Sequence, residues 1–259
     1  MGKKVLILGG NGYVGEAFTY FFQKKAITCE NISRKQIDYY QADALAGVVK
    51  QLAPDVLINC AGYTGKPNVD ACEAHKAECL LGNAVLPGVI REVCAARKLP
   101  WIHVSSGCIY TGNSSDGTGF RELDAPNFSF RASPCSFYSG TKALGEEVLA
   151  GDSNCYCLRL RIPFNQVDGP RNYLSKVMRY ENLLDATNSL SQLDDFVSAA
   201  WRLFEIDAPK GIYNVTNPGF VTTRQVVDII RRAGLTQKEF KFFCQRRGVH
   251  AQSRDYPAV

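Results

Sequence analysis

The chain of 259 residues lacks the patterns that mark several protein classes. It has no run of about 18 apolar residues, so no membrane-spanning helix is predicted. The apolar run at residues 5–8 is too short for a signal peptide and ends in glycines. Like charges form no block, although 30 Lys and Arg outnumber 25 Asp and Glu, so a nucleic-acid partner is not predicted. The small positive excess suits an anionic metabolite equally well.

The ten cysteines show no CxxC pair. Paired spacing of this kind is typical of zinc sites, so no metal site is predicted. The other spacings are irregular, which does not fit a disulfide framework. We therefore expect reduced thiols and a cytoplasmic protein, because cytosolic proteins rarely keep disulfides.

Apolar strands alternate with amphipathic helices through the first 160 residues. Strands are predicted at residues 4–8, 27–31, 55–59, 101–105 and 156–160, and helices at 15–25, 44–52, 79–97 (broken near Pro87) and 137–149. This alternation predicts an α/β fold with a parallel sheet. Beyond residue 162 the rhythm changes to short helices at 173–180, 193–204 and 223–233 around one strand at 211–215. The connection at residues 110–134 is long and rich in Gly, Ser, Asn and Pro, and such long connections are usually functional.

The strongest local motif is a GxxGxxG turn formed by Gly9, Gly12 and Gly15. It follows the first predicted strand and opens the first predicted helix. Glycine permits a tight turn and lets the backbone approach a pyrophosphate, while the helix N-terminus supplies free N–H groups. The motif therefore predicts a Rossmann-type, doubly wound parallel sheet that binds a dinucleotide. We assign residues 1–161 to this domain and residues 162–259 to a smaller, interleaved substrate-binding lobe.

The end of the second strand indicates which dinucleotide is bound. NAD sites usually have an acidic residue there, which bonds the ribose 2′-hydroxyl. Here Ser33 and Arg34 would suit a 2′-phosphate, so NADPH is predicted, and Glu30 keeps NADH as the less favoured alternative. A run of small residues, 60–62, ends the third strand and would let the cofactor lie along the sheet edge.

A Tyr-x-x-x-Lys pair, Tyr138 and Lys142, lies on the last helix of the first half. This spacing places both side chains on one helix face. A nearby ammonium lowers the pKa of a phenol, so we expect Lys142 to lower that of Tyr138. Such a tyrosine can exchange a proton with a carbonyl or alcohol oxygen. Ser106 follows the fourth strand, at the edge where parallel strands place a cofactor, and completes a candidate triad.

These residues resemble the short-chain dehydrogenase/reductase superfamily, in its extended branch acting on nucleotide sugars. Within it the chain is similar to the nucleotide-rhamnose synthase epimerase-reductases and, more loosely, to dTDP-4-dehydrorhamnose reductase and GDP-fucose synthase. The matching stretches are AGYTGKPNVD (61–70), SGCIY (106–110), PNF (126–128), SFYS (136–139), LRLRIP (158–163), PRNY (170–173) and YNVTNPG (213–219). The loop at 129–135 is longer than in the family.

The resemblance implies a role for each matching residue. Ser106, Tyr138 and Lys142 would reduce a 4-keto group, and Cys108 and Lys176 would be the acid/base pair of a 3,5-epimerisation. The implied cofactor-binding residues are Gly9, Asn11, Gly12, Tyr13, Val14, Gly15, Ser33, Arg34, Cys60, Ala61, Gly62, Tyr138, Lys142 and Pro163. The implied substrate-binding residues are Thr64, Asn127, Asn165, Arg171, Asn172 and Arg254.

The implied function is NADPH-dependent reduction of a nucleotide-linked 4-keto-6-deoxyhexose, either together with 3,5-epimerisation or as a 4-reduction alone. Two alternatives stay open: an enzyme similar to GDP-fucose synthase, and a non-catalytic NADP-binding regulatory subunit. The intact triad argues against the second. The implied partners are the nucleotide-sugar substrate and a second copy of the chain in a homodimer, and the sequence does not fix the nucleotide base.

Overall fold

The computed structural model describes residues 2–114 and 117–243. The strands are β1 (Lys4–Leu8), β2 (Thr28–Ile32), β3 (Val56–Asn59), β4 (Trp101–Ser106), β5 (Cys155–Leu160), β6 (Pro163–Phe164), β7 (Asn182–Leu184), β8 (Thr187–Asn188), β9 (Ser191–Gln192), β10 (Gly211–Asn214), β11 (Val221–Thr222) and β12 (Lys241–Phe243). The helices are α1 (Tyr13–Lys24), α2 (Ala42–Leu52), α3 (Lys76–Leu80), α4 (Leu86–Ala95), α5 (Phe137–Val148), α6 (Tyr173–Arg179), α7 (Leu193–Glu205) and α8 (Thr223–Arg232). Within the described ranges, no helix is both long enough and apolar enough to cross a membrane.

Six strands form one parallel sheet in the order β2-β1-β3-β4-β5-β10. The chain runs outward from β1 to β2 and then returns to β3 on the other side of β1. This reversal creates a crevice at the carboxyl ends of β1 and β3, the position where open parallel sheets bind their ligands. The predicted α/β class and doubly wound sheet are confirmed.

Alternating side chains of the strands supply the two cores that flank the sheet. In β1, Val5 and Ile7 point to the face covered by α1 and α7, whereas Leu6 and Leu8 point to the face covered by α2 and α4. All four side chains are fully buried, as expected for a strand with helices on both faces. Aromatic rings on α1 and α7 pack together, with Phe22 against Trp201 at 4.9 Å between ring centroids.

A separate core lies beyond the main sheet and is built by α6, β7, α8 and β12. Its buried members are Tyr173, Val177, Leu183, Val226, Val227, Ile230 and Phe240. However, β10 joins the main sheet and α7 covers it, although both follow residue 161. The division at residue 161 stays a prediction, and the two parts interleave along the chain.

The predicted helix at 79–97 differs in detail from the structure. A break was expected near Pro87, but the backbone stays helical there: Pro87 is the second residue of α4, and Val85 and Leu86 before it have helical backbone angles. The irregularity comes earlier, as a π-helical turn at Leu81–Val85. Asn83 in this turn is buried, and its side-chain amide bonds both the backbone N–H and the C=O of Tyr63, at 2.9 and 2.8 Å. The π turn therefore aims a polar side chain at the chain segment that follows β3.

The nine cysteines of the described residues are all free thiols. Cys155 and Cys157 of β5 both belong to the core on the α2 and α4 side, as their spacing in a strand requires. Cys108 is half-buried and differs from them in lining a cleft.

Candidate active site

The glycine turn after β1 is closed too tightly for any side chain. Gly9 has a φ of +78°, and a Cβ there would lie 2.6 Å from the backbone nitrogen of Ala61. A Cβ at Gly15 would lie 2.2 Å from the carbonyl oxygen of Gly9. The backbone of the turn therefore packs directly on the segment after β3 and on the first turn of α1, and glycine is required at both positions.

The N-terminus of α1 opens into a cleft with no side chain capping it. Its N-cap residue is Gly12, with extended backbone and no side-chain hydrogen bond to the first turn. By contrast, side chains cap α5, α6, α7 and α8. Free N–H groups at a helix N-terminus attract phosphate oxygens. Gly12, Tyr13 and Val14 line the large cleft described below, so this turn fits the pyrophosphate of a dinucleotide.

A small cleft of about 310 Å³ lies beside the same turn. It is lined by Gly9, Gly10, Asn11, Gly12, Asn31, Ser33, Arg34, Lys35 and Tyr39. The predicted residues Ser33 and Arg34 are therefore both present, and Lys35 adds a second positive charge. These groups fit a 2′-phosphate, since guanidinium and ammonium donors bind phosphate strongly. Glu30 is exposed, in the middle of β2.

Sequence reasoning missed Asn31, which fixes the glycine turn. Its side chain accepts a hydrogen bond from the backbone N–H of Gly10 at 3.0 Å and donates one to the side chain of Asn11 at 2.8 Å. Asn31 pairs with Ile7 in the sheet, so it lies one position before the end of β2. This position could have been noticed as a polar residue at the end of a strand.

A second, larger cleft of about 1610 Å³ contains all five candidate catalytic side chains. Ser106 ends β4, and Cys108 lies in the 3-10 turn Gly107–Ile109 that follows it. Tyr138 and Lys142 lie in the first half of α5, and Lys176 lies on α6. Predicted cofactor residues Cys60, Ala61, Gly62 and Pro163 line the same cleft. The fold thus brings together residues from five separate parts of the chain.

Tyr138 is buried, and its phenol behaves differently from the sequence-based prediction. Burial raises the pKa of Tyr138 above its ordinary value, the charge of Cys108 acts in the same direction, and a side-chain hydrogen bond with Ser106 opposes both. The prediction that Lys142 lowers this pKa is wrong for this structure. The physical reason is that desolvation of a buried phenol disfavours the phenolate more strongly than its neighbours favour it. The phenol of Tyr138 therefore stays protonated near neutral pH.

Lys142 is buried and lines the same cleft as Tyr138. Its ammonium donates to the carbonyl oxygen of Val104 at 3.4 Å, and burial lowers its pKa. A Cβ at Gly62 would lie 3.4 Å from the Lys142 nitrogen. The absence of a side chain at residue 62 therefore keeps the cleft open beside this ammonium.

Cys108 has a charged partner that sequence reasoning missed. Arg161, which directly follows β5, donates from Nη1 to the sulfur of Cys108 at 3.3 Å. Its Nε donates to the side-chain oxygen of Asn188 at 3.0 Å. Because β4 and β5 are neighbours paired through Ser106 and Leu160, the residues that follow them meet at one edge. That adjacency was the available signal.

Lys176 faces the same part of the cleft. Burial lowers the pKa of Lys176, Arg171 lowers it further, and Cys108 raises it. Lys176 thus lies close enough to Cys108 for their charges to interact.

The predicted substrate residues divide into two groups. Thr64, Asn127 and Arg171 line the large cleft, and Arg171 donates to the hydroxyl of Thr64 and to the carbonyl of Gly65. Asn165 and Asn172 instead support the wall of the cleft. Asn172 is buried, caps α6 and donates to the backbone carbonyls of Asn165 and Val167. The side chain of Asn165 accepts a hydrogen bond from the hydroxyl of Tyr13. Arg254 lies outside the described residues.

The longer loop at 129–135 forms another part of the wall, through residues 132–135. Phe130 packs on α5, where a Cβ at Gly140 would lie 2.2 Å from its ring. Arg131 makes a two-bond ion pair with Glu147 of α5 at 2.8 and 2.7 Å. The loop is thereby attached to the helix that carries Tyr138.

A buried ion pair joins α5 to the sheet. Arg159 of β5 bonds Glu146 of α5 at 2.6 Å, and both side chains are nearly inaccessible. Ser105 of β4 donates to the same carboxylate. These bonds fix the rotation of α5, since a buried carboxylate must keep its partners.

Comparison with known proteins places the chain among nucleotide-sugar reductases. It is 33% identical over 231 residues to the bifunctional dTDP-4-dehydrorhamnose 3,5-epimerase/dTDP-4-dehydrorhamnose reductase of Arabidopsis thaliana, covering 87% of this chain and 74% of that protein. It spans only 34% of the length of a trifunctional UDP-glucose 4,6-dehydratase/UDP-4-keto-6-deoxy-D-glucose 3,5-epimerase/UDP-4-keto-L-rhamnose-reductase of the same plant.

Solved structures share the fold. The UDP-rhamnose synthase of Acanthamoeba polyphaga mimivirus superposes with a TM-score of 0.86 at 23% identity, covering 94% of this chain and 85% of that one. The dTDP-4-dehydrorhamnose reductase of Bacillus anthracis, solved in complex with NADP, gives 0.77 at 18% identity, covering 94% and 84%. The model of the RmlD substrate binding domain matches residues 3–199, about three quarters of the sequence, and the chain therefore belongs to that family.

Proposed function

We propose that this protein reduces the 4-keto group of a nucleotide-linked 4-keto-6-deoxyhexose with NADPH and also epimerises carbons 3 and 5, giving an L-rhamnose-type nucleotide sugar. The observation that carries the proposal is the convergence of Ser106, Cys108, Tyr138, Lys142 and Lys176 on one cleft beside the glycine turn. The intact triad disfavours a purely regulatory subunit. The bifunctional relative from Arabidopsis supports the pairing of the two activities.

The chain's own residues fit NADPH at two places. The uncapped turn at Gly12 fits the pyrophosphate, and the cleft containing Ser33 and Arg34 fits the 2′-phosphate. When bound, NADPH supplies the hydride that reduces carbon 4. The NADP complex of the Bacillus anthracis reductase, which shares this fold, is consistent with that choice.

Tyr138 is the proposed proton donor in the reduction. Its raised pKa keeps the phenol protonated near neutral pH, so it can give its proton to the oxygen on carbon 4. Ser106 hydrogen-bonds the phenol, and in this proposal it bonds the same substrate oxygen. Lys142 would orient the cofactor ribose and support the phenolate that remains after proton transfer.

Cys108 and Lys176 are the proposed epimerisation pair. The 4-keto group acidifies the protons on carbons 3 and 5, so one group can remove a proton while the other returns one on the opposite face. The enolate oxygen formed in between would be held by Tyr138 and Ser106, whose donors are already in place before the charge develops.

For the nucleotide end of the substrate we propose a group of contact residues rather than a role for each residue. Thr64, Asn127 and Arg171 line the large cleft, and Asn165 and Asn172 support its wall. Arg171, together with Arg254, is the proposed diphosphate contact, because guanidinium groups bond phosphate bidentately. In this proposal residues 162–259 form the substrate-binding lobe. A dTDP or UDP carrier fits the named relatives, and a GDP carrier is the alternative.

We also propose a cytoplasmic location, which suits the free thiols of the nine cysteines in the described part of the chain, and a homodimer. Analytical ultracentrifugation of the purified chain measures the oligomeric state. A purely monomeric species at micromolar concentration contradicts the homodimer.

The decisive experiment is product analysis by NMR. The chain is incubated with NADPH and with 4-keto-6-deoxyglucose carried by dTDP, UDP or GDP, in D2O. We expect NADPH oxidation, deuterium at carbons 3 and 5, and an L-rhamnose-type product with one carrier. A parallel reaction with NADH measures the cofactor preference. Cofactor binding without oxidation on any carrier would favour the regulatory alternative.

A further inference from the structure

We propose that Arg161 is a positioning residue for the epimerisation: it donates a hydrogen bond to the sulfur of Cys108 and so stabilises the negative charge of the thiolate that removes the substrate proton, with Asn188 orienting the guanidinium. The proposal rests on the proposed function, because it concerns the epimerisation half of that reaction. Its basis is geometric: a guanidinium nitrogen lies 3.3 Å from the sulfur, inside the large cleft.

Arg161 is fixed at both ends of its side chain. Two of its nitrogens, Nε and Nη2, donate to the single side-chain oxygen of Asn188, which leaves Nη1 directed at Cys108. The backbone N–H of Arg161 donates to the hydroxyl of Ser191 at 2.9 Å, and this hydroxyl donates to the carbonyl of Val215. A charge held in this way needs no reorganisation when the thiolate forms.

The sulfur of Cys108 is faced by charged or titratable groups from three elements. Tyr138 and Lys142 face it from α5, Lys176 faces it from α6, and Arg161 faces it from the segment after β5. Arg161 differs from the two lysines in donating a hydrogen bond directly to the sulfur and in keeping its charge at every pH of interest. Tyr138 is neutral. Arg161 is thus the permanent counter-charge for a thiolate.

The step assigned to the pair is a balanced proton transfer. The Cys108 thiolate removes the proton from carbon 3 or carbon 5, forming an S–H bond. The electron pair of the broken C–H bond forms an enolate, whose negative charge lies on the oxygen attached to carbon 4. The ammonium of Lys176 then protonates the same carbon on the opposite face and becomes an amine. Proton exchange with water restores the thiolate and the ammonium, so deuterium from D2O is expected at the epimerised carbon.

The test measures the pH dependence of Cys108 alkylation by iodoacetamide in the full chain without substrate. Mass spectrometry of the Cys108 peptide separates this thiol from the other nine cysteines. In Arg161→Gln we expect the midpoint of alkylation to move up by about one pH unit or more, since an opposite charge this close shifts a titration by that amount. Arg161→Lys retains the charge and should restore part of the shift.

Two further variants separate a charge effect from damage to the fold. Asn188→Ala leaves the guanidinium present but unoriented, so a smaller shift in the same direction is expected even if Arg161→Gln folds poorly. Arg171→Gln removes another arginine of the same cleft, one that bonds Thr64 and Gly65, and should leave the Cys108 midpoint unchanged. Circular dichroism confirms folding of each variant.

The pH dependence of deuterium entry should move together with the alkylation midpoint. The role of Arg161 is overturned if the alkylation midpoint does not move in folded Arg161→Gln. If the wild-type enzyme nevertheless reduces and epimerises its substrate, the proposed function still stands. The proposed function is overturned instead if the midpoint moves but the wild-type chain neither oxidises NADPH nor exchanges deuterium with a substrate on any carrier.

Discussion

Replacing Tyr138 by Phe removes one hydroxyl and little else. The ring is 8% exposed and packs with Cys72, Cys79 and the half-buried Tyr63 and Phe137, contacts that a phenylalanine ring keeps. The hydroxyl itself bonds Ser106 and lies close enough to Cys108 to interact with its charge. The change therefore deletes the proposed proton donor while preserving the packing of α5.

The structure gives separate magnitudes for activity and stability. Loss of a positioned general acid lowers a rate by about 10²- to 10⁴-fold. Loss of one buried hydrogen bond, to Ser106, lowers the free energy of unfolding by only roughly 1 kcal/mol. Cofactor affinity should change little, because Ser33 and Arg34, the proposed 2′-phosphate contacts, line the separate smaller cleft. A large catalytic loss with near-native stability and binding is the expected signature.

Three measurements on the Tyr138→Phe protein check this expectation: steady-state NADPH oxidation, NADPH affinity by fluorescence titration, and urea denaturation. The wild-type pH profile adds a fourth. Because burial raises the pKa of Tyr138, reduction should not lose a protonated donor until the pH exceeds the ordinary phenol value of about 10. Turnover within a few-fold of wild type in folded Tyr138→Phe would refute the assignment.

Three other substitutions test the site and its support. Cys108→Ala should stop deuterium entry at carbons 3 and 5, with Cys108→Ser as the matched polar control; entry at the normal rate would mean that the thiol only packs. Arg159→Met should lower the free energy of unfolding by about 3–5 kcal/mol in urea titrations, because Glu146 is left buried without its partner. Adding Glu146→Gln should recover part of that loss, and an equal loss in the double variant would contradict the ion-pair argument. Lys142→Met should abolish reduction, while the free energy of unfolding at neutral pH should stay equal or rise. Burial lowers the pKa of Lys142, so the native state binds this proton less readily than the unfolded chain does. Wild-type stability should accordingly rise with pH towards the unfolded lysine value of 10.5, a slope that the Met variant lacks.

Local patterns were sufficient for most of the central sheet. Continuous apolar runs bounded by glycine or polar residues predicted β1, β3 and β4 within one or two residues, because strands buried on both faces have a strong sequence signal. The π turn at Leu81–Val85 had no comparable signal. It depends on Asn83 reaching the backbone of Tyr63, a contact between segments 20 residues apart.

The candidate site was predictable only where a motif carried it. The glycine turn and the Tyr-Lys pair have fixed spacing along the chain, and the structure places them at one cleft. Arg161 has no motif of its own, and its contact with Cys108 exists only because β4 and β5 are neighbours. The direction of the Tyr138 pKa shift was equally hidden, since it depends on how deeply α5 packs and no spacing rule reports that.

Burial acts on the titratable groups of the site in one consistent direction. It raises the pKa of Tyr138 and lowers those of Lys142 and Lys176, so each group moves towards its neutral form. An enolate nevertheless needs positive charge nearby. A lysine whose pKa is lowered by burial loses that charge more easily than an arginine does. Arginine keeps its proton even when buried. We infer that proton exchange is left to the phenol, thiol and amine, while Arg161 and Arg171 provide the lasting charge of the cleft.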